Sequence, residues 1–312
     1  MGADTTSPEW IYGTYKTLLF SIAYRMLGSV TDAEDMVQDT FLSWNEKRPA
    51  QIKDVKSYLC KMVTNRCLDR LRSASRKRES YVGQWIPEPL LDTIDMNEPS
   101  NQMTHKESLS TAYLLLLQQL SGVERAVFVL REVLMFDYDQ IAEVVNKTPT
   151  NCRQIFHRAK RAVQMMPAQL DQEQQPFSTN IENESPLIAP VSSTSNTVEQ
   201  FIHALTAGNV TTSVSLLASD AVLMSDGGGK VRAALQPILG ADRISRFLAG
   251  LLTKMPTDLI STTANVNGEL GMVLYMNKQP LGVVSFAAAS DRIRGIYIVI
   301  NPDKLTHVHP LC

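Results

Sequence analysis

Residues 137–162, DYDQIAEVVNKTPTNCRQIFHRAKRA, restrict the fold more than any other stretch of the chain. The pattern predicts two short helices joined by a tight turn. In the first, Ile141, Val144 and Val145 fall on one face and need a core to cover them. In the second, Thr148 offers a capping oxygen and Pro149 takes the first helical position, where a missing N–H costs nothing. Arg153, His157, Arg158, Lys160 and Arg161 follow with no acidic residue among them. A cationic helix delivered by an amphipathic one suits the major groove of duplex DNA. Thr150, Asn151, Arg153, Gln154, His157, Arg158 and Lys160 are the candidate contacts. Arginine pairs bidentately with guanine, and asparagine or glutamine with adenine.

A second basic helix is expected at 57–76. Tyr58, Leu59, Met62, Val63, Leu68 and Leu71 form its apolar face, and Lys61, Asn65, Arg66, Arg70 and Arg72 the other. That division suits phosphate binding, with Asn65 and Arg66 within reach of exposed bases. Upstream, Thr31 and Glu34 have capping-box spacing, and Ala33, Val37, Phe41 and Trp44 recur at helical intervals. The net charge of −2 conceals segregation: 61–78 is basic apart from Asp69, 79–98 holds five acids and no base, and 147–161 is basic again. Separate blocks favour local contact with a polyanion over a uniformly basic surface.

The 312 residues allow two or three domains. The expected divisions are helical segments at 8–80 and 106–166, an acidic linker at 81–105 broken by Pro87, Pro89 and Pro99, a polar linker at 167–196, and a last domain at 197–312. Ser121 and Glu124 make another capping box. The last domain reads as helices at 197–207, 210–217 and 241–252, then strands at 259–266, 270–276, 281–288 and 292–300. This order predicts an α+β domain with an antiparallel sheet, Asp220 serving as a turn residue before a strand. No apolar run approaches the ~18 residues of a membrane span, and the N-terminus does not read as a signal peptide. Cys60, Cys67, Cys152 and Cys312 form no CxxC pair and read as buried free thiols in a reducing cytoplasm.

AEDMVQDTFLSW, SYLCKMVTNRCLDRLR, LSGVERAVFVLREVLMFDYDQIAEVVNKT and RQIFHRAKRA, in that order, resemble regions 2 and 4 of extracytoplasmic-function (ECF) sigma factors. QWIPEPLLD, SDGGGKV and NPDKL resemble signatures of the group with a fused C-terminal SnoaL-like domain of the NTF2-like cone fold. The resemblance implies two all-α sigma domains plus an α+β cone. It implies that Asp35, Gln38, Asp39 and Trp44 meet the β′ clamp helices of RNA polymerase. It implies that the loop 47–56 captures a flipped −10 base, with Lys53, Lys56, Ser57, Lys61, Asn65, Arg66 and Arg70 in support. The helix-turn-helix would read the −35 duplex and meet the β flap. Trp85, Pro87, Glu88, Asp226, Gly227, Gly228, Gly229, Asn301, Pro302, Asp303, Lys304 and Leu305 would be regulatory, through contact of the third domain with the sigma segments, in place of a membrane anti-sigma factor. Ile86 where leucine is usual, and Lys230 where arginine is common, are mild departures.

Two rival readings concern the third domain. SnoaL-like cyclases use carboxylates inside the cone, and His203, Asp220 and Asp226 are the titratable residues on offer. They show no His/Asp pair at catalytic spacing and no metal-ligand cluster, so no catalytic residue, cofactor or metal is expected. A ligand sensor would instead line an apolar pocket with Leu223, Met224, Phe247, Leu248 and Phe286.

Overall fold

The computed structural model describes residues 7–47, 52, 54–78, 81–91, 109–169 and 191–311, which form two compact units. The loop expected to capture a flipped base lies largely outside the described residues, as do Lys53 and Cys312.

The first unit is helical. α1 (Pro8–Leu27) is capped by Ser7 and stopped by Gly28 at φ 68°, whose N–H donates to the Tyr24 carbonyl at 2.7 Å. That left-handed turn leads directly into α2 (Val30–Lys47), so the cap is Ser29, which accepts from the Asp32 amide at 3.1 Å, and not Thr31 as expected. α3 (Val55–Arg78) starts at Asp54, which accepts from the Ser57 amide at 3.3 Å and from its hydroxyl. The bond from Ser57 is the main reason the Asp54 carboxyl is held below its ordinary range. Leu19, Ile22, Tyr24, Met26, Leu59 and Val63 fill the core between these helices.

α4 (Thr111–Gln118) precedes α5 (Gly122–Phe128), whose Ser121–Glu124 capping box forms as expected. A π-helical turn, Val129–Val133, ends near Met135, which has φ 57°. α6 (Tyr138–Val145) and α7 (Pro149–Gln169) are the expected helix pair. Asn146 adopts the left-handed conformation between them, and Thr148 accepts from the Asn151 amide at 3.2 Å. Buried Arg125 ties this half to the first: it donates to the Met26 carbonyl, to both oxygens of Gln118 and to the Leu120 carbonyl. Cys60, Cys67 and Cys152 are buried free thiols, and burial pushes Cys60 up to about 12.

The second unit contains residues 81–91 together with α8 (Val191–Thr206), α9 (Val210–Ser215), β1 (Leu217–Asp226), β2 (Ile238–Leu239), α10 (Ala241–Leu252), β3 (Ile260–Val266), β4 (Glu269–Met276), β5 (Gln279–Ala289) and β6 (Arg292–Val299). The sheet order is β2-β1-β6-β5-β4-β3. It is mixed, not antiparallel as expected: β1 runs parallel to β6, which the chain reaches after α10 and three successive hairpins, β3–β4, β4–β5 and β5–β6. Asp220 lies within β1 and pairs with Arg294 at 3.3 Å, so it is not the expected turn residue.

One sheet face, bearing Leu223, Met272, Val284, Phe286, Ile296 and Ile298, packs on Phe201 and Ile202 of α8 and Ile244 and Leu248 of α10. The other face, bearing Met224, Val273, Tyr275, Val283 and Val299, is covered by Ile86 and by Leu305 and Val308. Strand alternation thus sends Leu223 and Met224 to opposite faces. Leu223, Leu248 and Phe286 are packed core residues with Phe247 against them, so the five residues expected to line one sensor pocket do not share a chamber.

Candidate regulatory latch and nucleic-acid interface

The three short motifs meet on the second sheet face. β1 ends at Asp226, whose carbonyl accepts from the Ile300 amide at 2.9 Å, so the DGGGK loop and the NPDKL turn leave the sheet side by side. Gly228, at φ 59°, lets the loop close over Asn301: a Cβ there would lie 2.3 Å from Asn301 Nδ2. Asn301 caps a 3-10 turn, Pro302–Lys304, by accepting from the Asp303 amide at 3.1 Å. That turn aims Lys304 inward, while Leu305 joins the core.

Asp226 is fully buried and accepts four hydrogen bonds. Oδ1 takes them from the Tyr81 hydroxyl at 2.5 Å and the Gly228 amide at 3.0 Å, and Oδ2 from the Ile86 amide at 2.9 Å and Lys304 Nζ at 2.7 Å. Lys304 Nζ also donates to the Ile86 carbonyl at 2.5 Å and sits 4.1 Å from the Trp85 ring centroid and 5.1 Å from that of Tyr81. A buried ion pair is tolerated when its remaining hydrogen-bonding positions are filled, and here the linker backbone and two aromatic rings help to fill them. Burial first, then the bond to Asp226, pushes the Tyr81 phenol far above its ordinary range. Asn301 Nδ2 donates to the same phenol at 3.0 Å.

The linker strap, residues 81–91, is held at its other end too. The Leu90 amide donates to Asn267 Oδ1 and the Asn267 amide to the Leu90 carbonyl, each at 2.7 Å; Leu91 then bridges Val266. His307 Nε2 lies 2.5 Å from the Pro89 carbonyl. Ile86 is fully buried, and Glu88 nearly so. Lys230 and Asp303 form an outer ion pair at 2.7 Å, exposed and worth little. His203 stands apart, exposed on α8. Sequence reasoning missed Tyr81, Asn267 and His307, which lie outside the three motifs. The Asn267-Gly268 hairpin turn was the available signal for one of them.

In the first unit, Thr150, Asn151, Arg153, Gln154, His157 and Arg158 form one exposed stripe along α7, with Lys160 half-buried at its edge. Cys152, Ile155, Phe156 and Ala159 face the core. Arg158 reaches Glu124 at 3.9 Å, and Lys160 reaches Glu132 at 3.2 Å. On α3, Lys56 is exposed and Ser57, Lys61 and Asn65 are half-buried. Ser57 also accepts from Gln140 Nε2 at 3.4 Å. Arg66 donates to Ser43 Oγ at 2.6 Å and the Asp39 carbonyl at 3.2 Å, and Arg70 pairs with Asp32 at 2.6 Å. Both arginines therefore fasten α3 to α2.

On α2, Asp35, Gln38 and Asp39 share an exposed face. Trp44 is only 9% exposed and packs on Tyr58, with ring centroids 5.8 Å apart. Leu42, 53% exposed on the Asp35–Asp39 face, is the apolar residue that the face presents, and sequence reasoning missed it.

Among the described residues no helix is long and apolar enough to cross a membrane, and no group of His, Cys, Asp and Glu is placed to hold a metal.

Residues 11–77 match Sigma-70 region 2, and residues 110–163 match Sigma-70, region 4. The ECF RNA polymerase sigma factor SigJ of Mycobacterium tuberculosis is 32% identical over 300 residues, covering 92% of this chain and 90% of SigJ. The probable ECF RNA polymerase sigma factor SigI of the same species is 26% identical over 306 residues, covering 97% and 95%. The crystal structure of SigJ aligns over 95% of this chain and 97% of its own, with a TM-score of 0.73 and 26% identity. With both Sigma-70 regions in the helical unit and an α+β domain after them, the chain belongs to the ECF RNA polymerase sigma factors.

Proposed function

We propose that this sigma factor brings RNA polymerase to promoters by the residues named above, and that its C-terminal domain regulates it in cis through the strap. In this reading α7 meets the −35 duplex, the exposed polar face of α3 and the loop before it meet the melted −10 strand, and Asp35, Gln38, Asp39 and Leu42 meet the β′ clamp helices. The helix-turn-helix unit contacts the β flap, and the cytoplasm is where these partners are found.

The observation that carries the regulatory part is the convergence of three sequence-distant segments on Asp226 and Lys304. The captured strap is the segment that connects the two DNA-reading regions, so whatever holds it acts on both. Asp226 has its four acceptor positions occupied by strap and loop donors, which supports a holding role over acid–base catalysis.

The test is transcription by polymerase core reconstituted with the full chain, with a chain ending after residue 166, and with Asp226→Ala. Promoter output from both altered chains is expected to differ from that of the full chain by severalfold. Equal output from all three would end the cis-regulatory reading. Loss of promoter-specific initiation in none of a set of α7 variants would end the assignment of the −35 reader.

A further inference from the structure

The cations of α7 are not held alike. Lys160 reaches Glu132 and Arg158 reaches Glu124. Arg153, exposed and one turn into the helix, meets no carboxylate among the described residues. Its guanidinium carbon lies instead 5.2 Å from the ring centroid of Tyr138. That ring belongs to the first residue of the preceding helix, and three features fix it. The Asp137–Gln140 capping box sets the start of α6, with bonds of 2.7 Å and 3.1 Å. Phe156, a core residue stacked on Phe128, stands edge-on to Tyr138 at 6.3 Å. Arg131 lies 4.9 Å from the same ring centroid and is itself tied to the Phe136 carbonyl at 2.7 Å.

We propose that Tyr138 is a positioning residue for Arg153, holding its guanidinium over a fixed ring so that its N–H edge is presented to a guanine in the duplex. A π face attracts the cation without using any of its five donors, whereas a carboxylate would occupy two of them. The ring therefore restricts the side chain while leaving it able to form a bidentate pair with guanine O6 and N7. Arg131 raises the positive potential at the same place, and the shared ring offsets the repulsion between the two arginines. Arg153 becomes the specificity-determining cation of the helix, and Arg158 and Lys160, shared with carboxylates, act on phosphates. The inference rests on α7 being the −35 reader.

The experiment uses polymerase core reconstituted with the full chain and a promoter library randomised across the upstream element, with bound or transcribed sequences counted. Arg153→Ala is expected to abolish preference at one base position. Tyr138→Phe should retain that preference. Tyr138→Leu should weaken it about two- to fivefold, the scale of an exposed cation–π contact, and leave the other positions as they were. In the Arg153→Ala background, Tyr138→Leu should add nothing. Unchanged preferences in Tyr138→Leu would overturn the proposal. So would an equal loss at every position with a lowered melting temperature, because that is a packing role. If the unaltered chain shows no upstream preference, the −35 assignment fails and takes the inference with it; if the preference is present but indifferent to Tyr138, only the inference fails.

Discussion

Gly228 and Met135 show one backbone rule from opposite sides. Gly228 sits at φ 59° with Asn301 2.3 Å from where its Cβ would be, so both strain and contact forbid a side chain. Gly228→Ala is expected to lower stability by about 1–3 kcal/mol, measured by chemical denaturation. Met135 holds φ 57° although it is 75% exposed and has a long side chain. Met135→Gly should relieve the left-handed strain and raise stability by up to about 1 kcal/mol, reduced by glycine's greater freedom in the unfolded chain. A lowered melting temperature would mean that the methionine side chain makes a compensating contact. The glycine run announced itself in the sequence because only glycine tolerates such a turn so closely packed. Met135 did not, because nothing in its own chemistry signals a left-handed backbone. Trp44 keeps the company that helical spacing gave it, buried with Ala33, Val37 and Phe41 and turned towards Tyr58, whereas its place beside the exposed acids came from the family resemblance alone.

The elements that could be read were those with strong local signals. Capping residues and apolar periodicity placed α5, α6, α7 and α10 closely, and β-branched alternation placed β3 to β6. The first residues of β1 escaped, Asp220 reading as a turn ahead of the strand, because Ala218, Ser219 and Asp220 dilute its pattern; its stability comes from β6, a partner distant in sequence. The strap escaped for the same reason. Pro87 and Pro89 exclude a helix there, but only the sheet face decides whether an extended segment docks. Two predictions belong to this face. Ile86→Ala should cost about 2–4 kcal/mol of strap docking, seen as faster hydrogen exchange at the Ile86 and Leu90 amides; unchanged protection would show that the polar bonds suffice. The second concerns Glu269, which pairs across the hairpin with Val266 beside Leu91. Burial raises its carboxyl to about 7, against roughly 4.3 when unfolded. Between those values the folded state binds more protons than the unfolded one, so stability falls as pH rises through that window. Glu269→Gln should flatten the melting temperature between about pH 5 and pH 7 and leave the variant the more stable of the two above pH 7. A slope equal to that of the unaltered chain would place the titration elsewhere.

At the scale of the whole molecule, the proposed cis-regulation has a physical variable to act on: how much free chain joins the two Sigma-70 regions. Residues 81–91 lie between α3 and α4, and an extended chain spans at most ~3.3–3.6 Å per residue. With Tyr81 bonded to Asp226 at one end, Ile86 to Asp226 and Lys304 in the middle, and Leu90 to Asn267 at the other end, those residues give the tether no slack. Released, the same residues can take any span up to ~36–40 Å in place of the one that docking fixes. A protein that must contact two promoter elements at once is sensitive to that length, because closing a loop that is too short is forbidden and closing one that is too long carries only a small entropic penalty. Lys304→Met keeps the apolar stem but removes the charge that binds the Ile86 carbonyl and Asp226, leaving a buried carboxylate without its cation. Polymerase carrying this variant is expected to initiate from promoters with a wider range of distances between the −35 and −10 elements than polymerase carrying the unaltered chain. Measuring initiation across a series of spacer lengths checks it. Profiles of equal width, with the variant shown by hydrogen exchange to have lost its strap, would mean that the latch acts on something other than reach.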